Sequence, residues 1–319
     1  MMSAIGGYFS LELPKGEEFH SAAIKLNTGR NSLEYILRNR HYKKVHIPYY
    51  TCDSILEPFQ KLNIPYKFYH INNKLELCES ISLLPDEAIL YTNYFGLKQE
   101  YVKTLATNYG TRLIVDNTQA FYSLPEPHID TFYSCRKYFG VPDGAYLYTE
   151  EIADFDIRID HSHDRMDSLL KRIDLSPQEG FEDFHETSRR LSHQPIKQMS
   201  KLTERLMRSV NYKEAAERRI NNYRFLHHHL LYSNRIQLNL PTGSTPMIYP
   251  FLTQQEGLRS HLISKEIFVA RYWPNVTEWC DKQQWEHTLS TCLLPLPIDQ
   301  RYDESDMEVV ISTINEYLK

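Results

Sequence analysis

This chain has no C-x-x-C pair, no basic stripe and no long apolar run, and each absence removes a class of protein. Its five cysteines, Cys52, Cys78, Cys135, Cys280 and Cys292, are odd in number and scattered, which suggests neither a disulfide framework nor a zinc site. A net charge of −5 offers no field for nucleic acid, and no helix-turn-helix signature occurs. No stretch approaches the roughly 20 apolar residues needed to span a bilayer. Met1 to Leu13 lacks the charged start and apolar core of a signal peptide, so the expectation is a soluble cytoplasmic protein with no membrane partner. Internal repeats and low-complexity tracts are missing too. His227-His228-His229 falls in a helical pattern, where consecutive side chains diverge and cannot chelate together. His161-Ser162-His163-Asp164 reads as polar loop, so no metal is expected, and the Asn275-Val276-Thr277 sequon means nothing without secretion.

What is present is an alternation. At 319 residues the chain suits a large domain plus a smaller one. Strand-like runs at Val45–Ile47, Tyr66–Tyr69, Ala88–Tyr91, Leu113–Val115, Asp130–Ser134 and Ala145–Tyr148 are interleaved with helical patterns at Leu33–Leu37, Ser54–Leu62 and Glu100–Tyr109. Such alternation predicts an α/β fold, a mostly parallel sheet sandwiched by helices, with ligands at the carboxyl ends of the strands. From Glu150 to about Lys197 the texture is charged and weakly periodic, with a loop at Pro177 and Gly180. Lys201 to Leu231 is a long helical stretch broken near Asn211, and its Arg205, Arg208, Arg218 and Arg219 read as a solvated face. Strands at Met247–Leu252, Ile267–Ala270 and Thr291–Leu294, with helices at Gly257–Ser264 and Ser305–Leu318, predict a small C-terminal α+β domain. The boundaries expected are 1–215 and 216–319.

Two residues carry the chemistry. Asp116 ends the apolar run Leu113-Ile114-Val115, and Lys137 follows the strand Asp130–Ser134. A strand-end carboxylate can hold a pyridine nitrogen protonated, and a lysine can form a Schiff base with an aldehyde; pyridoxal phosphate has both groups. Taken singly, Asp116 reads equally as a turn residue and Lys137 as a surface lysine. Asn27-Thr28-Gly29-Arg30-Asn31-Ser32 precedes an amphipathic helix, so its amides can receive a phosphate at a helix N-terminus, with Gly29 allowing close approach and Arg30, Asn31 or Ser32 adding donors. A plain N-cap uses the same residues. The stretch is neither a dinucleotide fingerprint nor a Walker loop. Gln119, three residues after Asp116, can donate to a phenolate oxygen, and Ser134 can reach the same phosphate. Gly140 and Gly144 let the loop after Lys137 pack closely.

These residues resemble the DegT-type (DegT/DnrJ/StrS) sugar aminotransferases, fold-type I pyridoxal-phosphate enzymes of aspartate-aminotransferase-like architecture. The resemblance runs over nearly the whole chain. It rests on Gly29 to Leu33 for the phosphate turn, Pro48-Tyr49-Tyr50-Thr51, Asp116 to Ala120 for an Asp-x-x-Gln-Ala motif, Lys137, Arg218 to Tyr223, and Leu294 to Asp299. It implies transfer of an amino group from an amino acid, glutamate, to a nucleotide-linked keto sugar in polysaccharide biosynthesis. It also implies a homodimer with active sites at the subunit interface. Tyr94 and Phe95 are candidates for lining the site, with core packing an equal reading. Tyr272 and Trp273 fall where the family's small domain closes over substrate, with ordinary packing of Trp273 an equal reading.

Departures from the pattern are specific. Arg30 stands where the family has Thr, and Cys52 where an aromatic stacks on the cofactor, leaving Tyr50 as the stacking candidate. Phe132 replaces the serine five residues before the lysine, and the Gly-Gly after the lysine loop is reduced to Gly144-Ala145. Pro195 to Ser200 replaces a Gly-Tyr-Asn-x-Arg segment that crosses to the partner subunit; Lys197 supplies the lost positive charge, or the contact is absent. Other readings are a fold-type I enzyme of another reaction type, lyase or decarboxylase, and an inactive relative that acts as a binding protein.

Overall fold

The computed structural model describes residues 5–152 and 155–318. The first half of the chain runs β1 (Ile24–Leu26), α1 (Gly29–Arg40), β2 (Lys44–Pro48), α2 (Leu56–Leu62), β3 (Tyr66–Tyr69), β4 (Glu87–Thr92), α3 (Gln99–Tyr109), β5 (Leu113–Asp116), β6 (Asp130–Ser134) and β7 (Ala145–Tyr148). The helices α4 (Asp167–Asp174), α5 (Phe181–Arg190), α6 (Lys201–Met207) and α7 (Tyr212–Leu230) follow. Then come β8 (Tyr249–Leu252), α8 (Leu258–Ser264), α9 (Val276–Trp279), α10 (Trp285–Cys292), β9 (Leu293–Leu296) and α11 (Glu304–Leu318). Among the described residues no helix is long and apolar enough to cross a membrane.

The larger sheet has the order β1-β7-β6-β5-β4-β2-β3. Strands β3, β2, β4, β5 and β6 pair in parallel, whereas β7 and β1 are antiparallel additions at one edge. This is the α/β architecture expected. Each central strand is apolar on both faces because both are covered. In β4, Ala88 and Leu90 join one core with Leu33, Ile36 and Phe59 of α1 and α2, while Ile89 and Tyr91 join the other. That second core continues through Tyr249, Phe251, Leu294 and Leu296, so the small β8–β9 sheet packs into the same interior. The division expected at 215/216 falls near the start of α7.

Many of the 23 tyrosines are structural. Tyr69, Tyr91, Tyr94, Tyr138 and Tyr223 are buried, and their hydroxyls donate to the carbonyls of Leu90, Leu75, Tyr50, Gln119 and Leu238. Each ring fills the core while its polar end ties down a loop or strand backbone.

Helix α1 lies along β6 and β7. At its C-terminal end Arg40 grips Asp130, the first residue of β6, with Nε and Nη2 donating at 2.8 and 3.0 Å. At its N-terminal end Gly29 faces Tyr133, near the last residue of β6. The helix therefore runs antiparallel to β6 and aims its free amides at the carboxyl end of the sheet.

Three sequence expectations change. Residues 150–197 hold α4 and α5 as well as loop; both helices are short and bury little, with Leu170, Ile173, Phe181 and Phe184 exposed. Ile267 to Ala270 forms no strand, because Arg259 takes the carbonyls of Val269 and Ala270 that a ladder would need. Arg219 is buried rather than solvated. Strand β1 was not foreseen; three residues are too few for a period to register.

Asp130 is 1 % exposed, so Arg40→Leu leaves a buried carboxylate without its cation. The expected loss is about 3–5 kcal/mol of stability, read from urea unfolding at neutral pH. His20 provides a pH test. It is fully buried, with Nε2 2.7 Å from the Phe121 carbonyl and Nδ1 3.1 Å from the Tyr148 hydroxyl, an arrangement that suits the neutral ring. Burial lowers its pKa from 6.5 to about 4. The unfolded chain thus binds the extra proton between these values, so His20's contribution is complete above pH 6.5 and disappears as pH falls toward 4. About 3 kcal/mol should be lost across that window, and a His20→Gln variant should lack this component.

Candidate active site

The carboxyl ends of the parallel strands bring Asp116 and Lys137 together. Thr92 of β4 and Phe132 of β6 are the register partners of Asp116, which places its carboxylate in the centre of that edge. Asp116 is buried, and its Oδ1 accepts the Thr118 N–H at 2.8 Å. Among the described residues no cation pairs with it. Lys137 ends a 3-10 turn, Cys135–Lys137, directly after β6. Its exposed amine donates to Thr118 Oγ1 at 2.9 Å. A single residue, Thr118, therefore touches both the strand-end carboxylate and the lysine.

Gly29 completes the triangle. A Cβ built there would lie 3.2 Å from Thr118 Cγ2 and 3.8 Å from Phe132 Cδ2, so α1 begins against the same turn. Thr28 caps the helix by accepting the Asn31 N–H, which leaves the amides of Gly29 and Arg30 as the helix's free donors. Ser134, half-exposed, makes no capping bond of its own.

Gln119 shows the most pointed feature. It is 1 % exposed, and Oε1 accepts the Phe95 N–H at 3.1 Å, which supports Phe95 in a left-handed conformation (φ 59°). Its Nε2 is buried with no partner. A buried donor without an acceptor costs about 1–3 kcal/mol, so this one gains from an acceptor brought to it.

Other side chains named from the sequence are engaged elsewhere. The Arg30 guanidinium pairs with Glu57 at 2.5 Å and donates to Ser192, and Asn31 donates to Asn27 and the Pro195 carbonyl. What Arg30 offers an anion at the turn is its backbone N–H, whereas that of Asn31 is taken by Thr28. Tyr50 is fully buried against Tyr94 and Trp273 and presents no open face for stacking. Tyr94 is equally enclosed, and Phe95 packs in parallel with Tyr272, their centroids 6.3 Å apart. Lys197 Nζ is held by Asp160 at 3.1 Å and Gln194 at 3.3 Å. Of the two loop glycines, Gly144 has φ 109° and a Cβ there would lie 2.8 Å from Thr203, whereas Gly140 meets only Leu169.

Sequence reasoning missed Arg219. Its Nη1 and Nη2 donate to the carbonyls of Met247 and Tyr138, its Nε to Gln300, and its guanidinium lies 4.5 Å from the centre of the Tyr138 ring. It ties α7 and the β8 approach to the residue after Lys137. Helical spacing could not separate it from its exposed neighbour Arg218.

No family model and no curated protein matches the chain. Solved structures do. An aminotransferase TlmJ from Streptoalloteichus hindustanus matches at a TM-score of 0.64 and 15% identity, over 93% of this chain and 85% of that one. A putative sugar aminotransferase, Spr1654 from Streptococcus pneumoniae in its PLP-form, matches at 0.63 and 12%, over 92% and 86%. A DegT DnrJ EryC1 StrS aminotransferase from Brucella abortus matches at 0.61 and 15%, over 92% and 85%. At such identities the likeness is one of fold, and it extends through both sheets.

Because Arg219 serves three acceptors in the interior, Arg219→Ala should cost about 2–4 kcal/mol of stability in urea unfolding. Arg219→Lys should recover only part, since an ammonium cannot span the three acceptors as the guanidinium fork does.

Proposed function

We propose that this chain is a pyridoxal-phosphate-dependent aminotransferase that moves an amino group from an amino acid, glutamate, to a nucleotide-linked keto sugar. The observation that carries the reading is the meeting of the Asp116 carboxylate and the Lys137 amine on the two sides of Thr118, beside the start of α1. The shared fold of the solved aminotransferases supports it.

The residues present fit the cofactor. Asp116 is a buried anion with no cation of its own, as a pyridinium partner should be. Lys137 is exposed and has one neutral partner. The orphaned Gln119 Nε2 supplies a donor for a phenolate oxygen. The amides of Gly29 and Arg30, with the Ser134 hydroxyl, supply donors for a phosphate, and a side chain at position 29 would fill that space. When bound, the cofactor supplies an aldehyde that accepts the amino group and a protonated ring that withdraws electrons.

The chain's own residues do the rest. Asp116 keeps the proton on the ring nitrogen, and its burial strengthens that charge pairing. Lys137 would hold the cofactor through its aldehyde, and its amine, when free, would serve as the base and acid that moves a proton at the substrate carbon. Thr118 holds the amine in line with the site. The same residues serve the second half-reaction in reverse, which gives ping-pong kinetics. Tyr272 and Trp273 close the sugar side, and the protein works as a cytoplasmic homodimer in polysaccharide biosynthesis.

Protein purified with pyridoxal phosphate should show a visible absorbance band that glutamate bleaches and that Lys137→Ala lacks. Asp116→Asn should retain the band and lose about 10²- to 10³-fold in transamination rate. A band indifferent to Lys137→Ala, or no band at all, would sink the enzymatic reading. A band unmoved by several amino donors would redirect it to lyase or decarboxylase chemistry.

A further inference from the structure

Arg136 is a cation without an anion. Its Nη2 donates to Ser188 Oγ at 3.3 Å and its guanidinium carbon lies 5.8 Å from the centre of the Phe184 ring. Among the described residues no carboxylate forms an ion pair with it. The other cations of this region have carboxylate partners: Arg30 has Glu57 at 2.5 Å, Arg165 has Asp160 at 2.8 Å and Asp143 at 3.9 Å, and Lys197 shares Asp160 at 3.1 Å. Asp143 is near enough to favour the Arg136 charge, but its oxygens accept from Ser200 and Thr203. Burial lowers the Arg136 pKa to about 10, and repulsion from Arg30 and Arg165 acts in the same direction. Arg165 adds a buried Nε with no partner. Unpaired positive charge is costly to enclose, so an anion brought here is stabilised.

Position says which anion. Arg136 immediately precedes Lys137, and Arg30 is the second residue of α1. Ser188 and Ser192, four residues apart, hold the two guanidinium groups side by side, and Ser192 Oγ itself donates to the Ser188 carbonyl. A guanidinium fork beside a helix N-terminus matches the several oxygens of a phosphate better than a single carboxylate. Resting on the reading of the site as a pyridoxal-phosphate centre, we propose that Arg136 supplies the positive charge of a phosphate subsite beside the start of α1. The phosphate belongs either to the cofactor or to the nucleotide of the substrate.

Two titrations decide. Apoprotein is titrated with pyridoxal phosphate and with pyridoxal, followed by visible absorbance; cofactor-loaded protein is titrated with UDP by calorimetry. Arg136→Gln should bind pyridoxal phosphate about 10- to 100-fold more weakly with pyridoxal unchanged, if the phosphate is the cofactor's. It should weaken UDP by a similar factor, if the phosphate is the nucleotide's. Arg136→Lys, which keeps the charge without the fork, should fall between, and it carries the comparison if the glutamine variant does not fold. Unchanged dissociation constants for both phosphates would overturn the proposal. If wild-type protein forms no band with either aldehyde, the enzymatic reading fails, while the UDP titration on unloaded protein still decides Arg136.

Discussion

The antiparallel seating of α1 on β6 is the constraint on which the candidate site depends. Arg40 fixes one end of the helix to Asp130, and the absence of a side chain at Gly29 lets the other end approach Thr118. A helix held this way delivers its unpaired amides to the edge where β5 and β6 end. A partial positive charge from the helix thus meets a strand-end carboxylate and a lysine at one turn. A bulky residue at 29, or a helix tilted away from β6, would separate the free amides from Asp116 and Lys137.

Around that turn the interior is rigid. The sheet is covered on both faces, its buried tyrosines donate to backbone carbonyls, and Arg219 stitches α7 to the residue that follows Lys137. The second sheet shares the larger core, so the segment carrying Tyr272 and Trp273 is coupled to the first sheet by packing as well as by the chain. The backbone also carries local strain at Phe95, beside Gly96, where the Gln119 amide and the Met247 N–H both bond to Phe95. Such strain persists only where its surroundings over-determine it.

Polar groups near the candidate site differ in their partners. Arg30, Arg40, Arg165 and Lys197 all have carboxylate partners. Asp116, Arg136 and the Gln119 amide nitrogen do not, and all three belong to the two segments that flank Thr118 and Lys137. A carboxylate and a guanidinium without an ion-pair partner, and a buried amide without an acceptor, each gain from a complementary group brought to them. A ligand with a cationic ring, an anionic phosphate and a phenolate oxygen would complement them.

Period and spacing were enough to read the parallel strands, the break before α7 and the strand-end positions of Asp116 and Lys137, because buried strands are apolar runs and their ends are marked by polar residues. They were enough also to nominate Gly29 and Gln119 as candidates, whose features are the lack of a side chain and a buried amide. Side-chain destinations were a different matter. Arg30 and Lys197 look like free cations in one dimension, yet Glu57 and Asp160 claim them across 27 and 37 residues of chain. Arg219 looks exposed until α7 is laid against the Lys137 loop, and Arg136 acquires meaning only when its neighbours are found to be taken. Local pattern determines which residues lie at a strand end or helix start. Which charges are cancelled is decided by contacts distant in sequence, and those exist only in the folded protein.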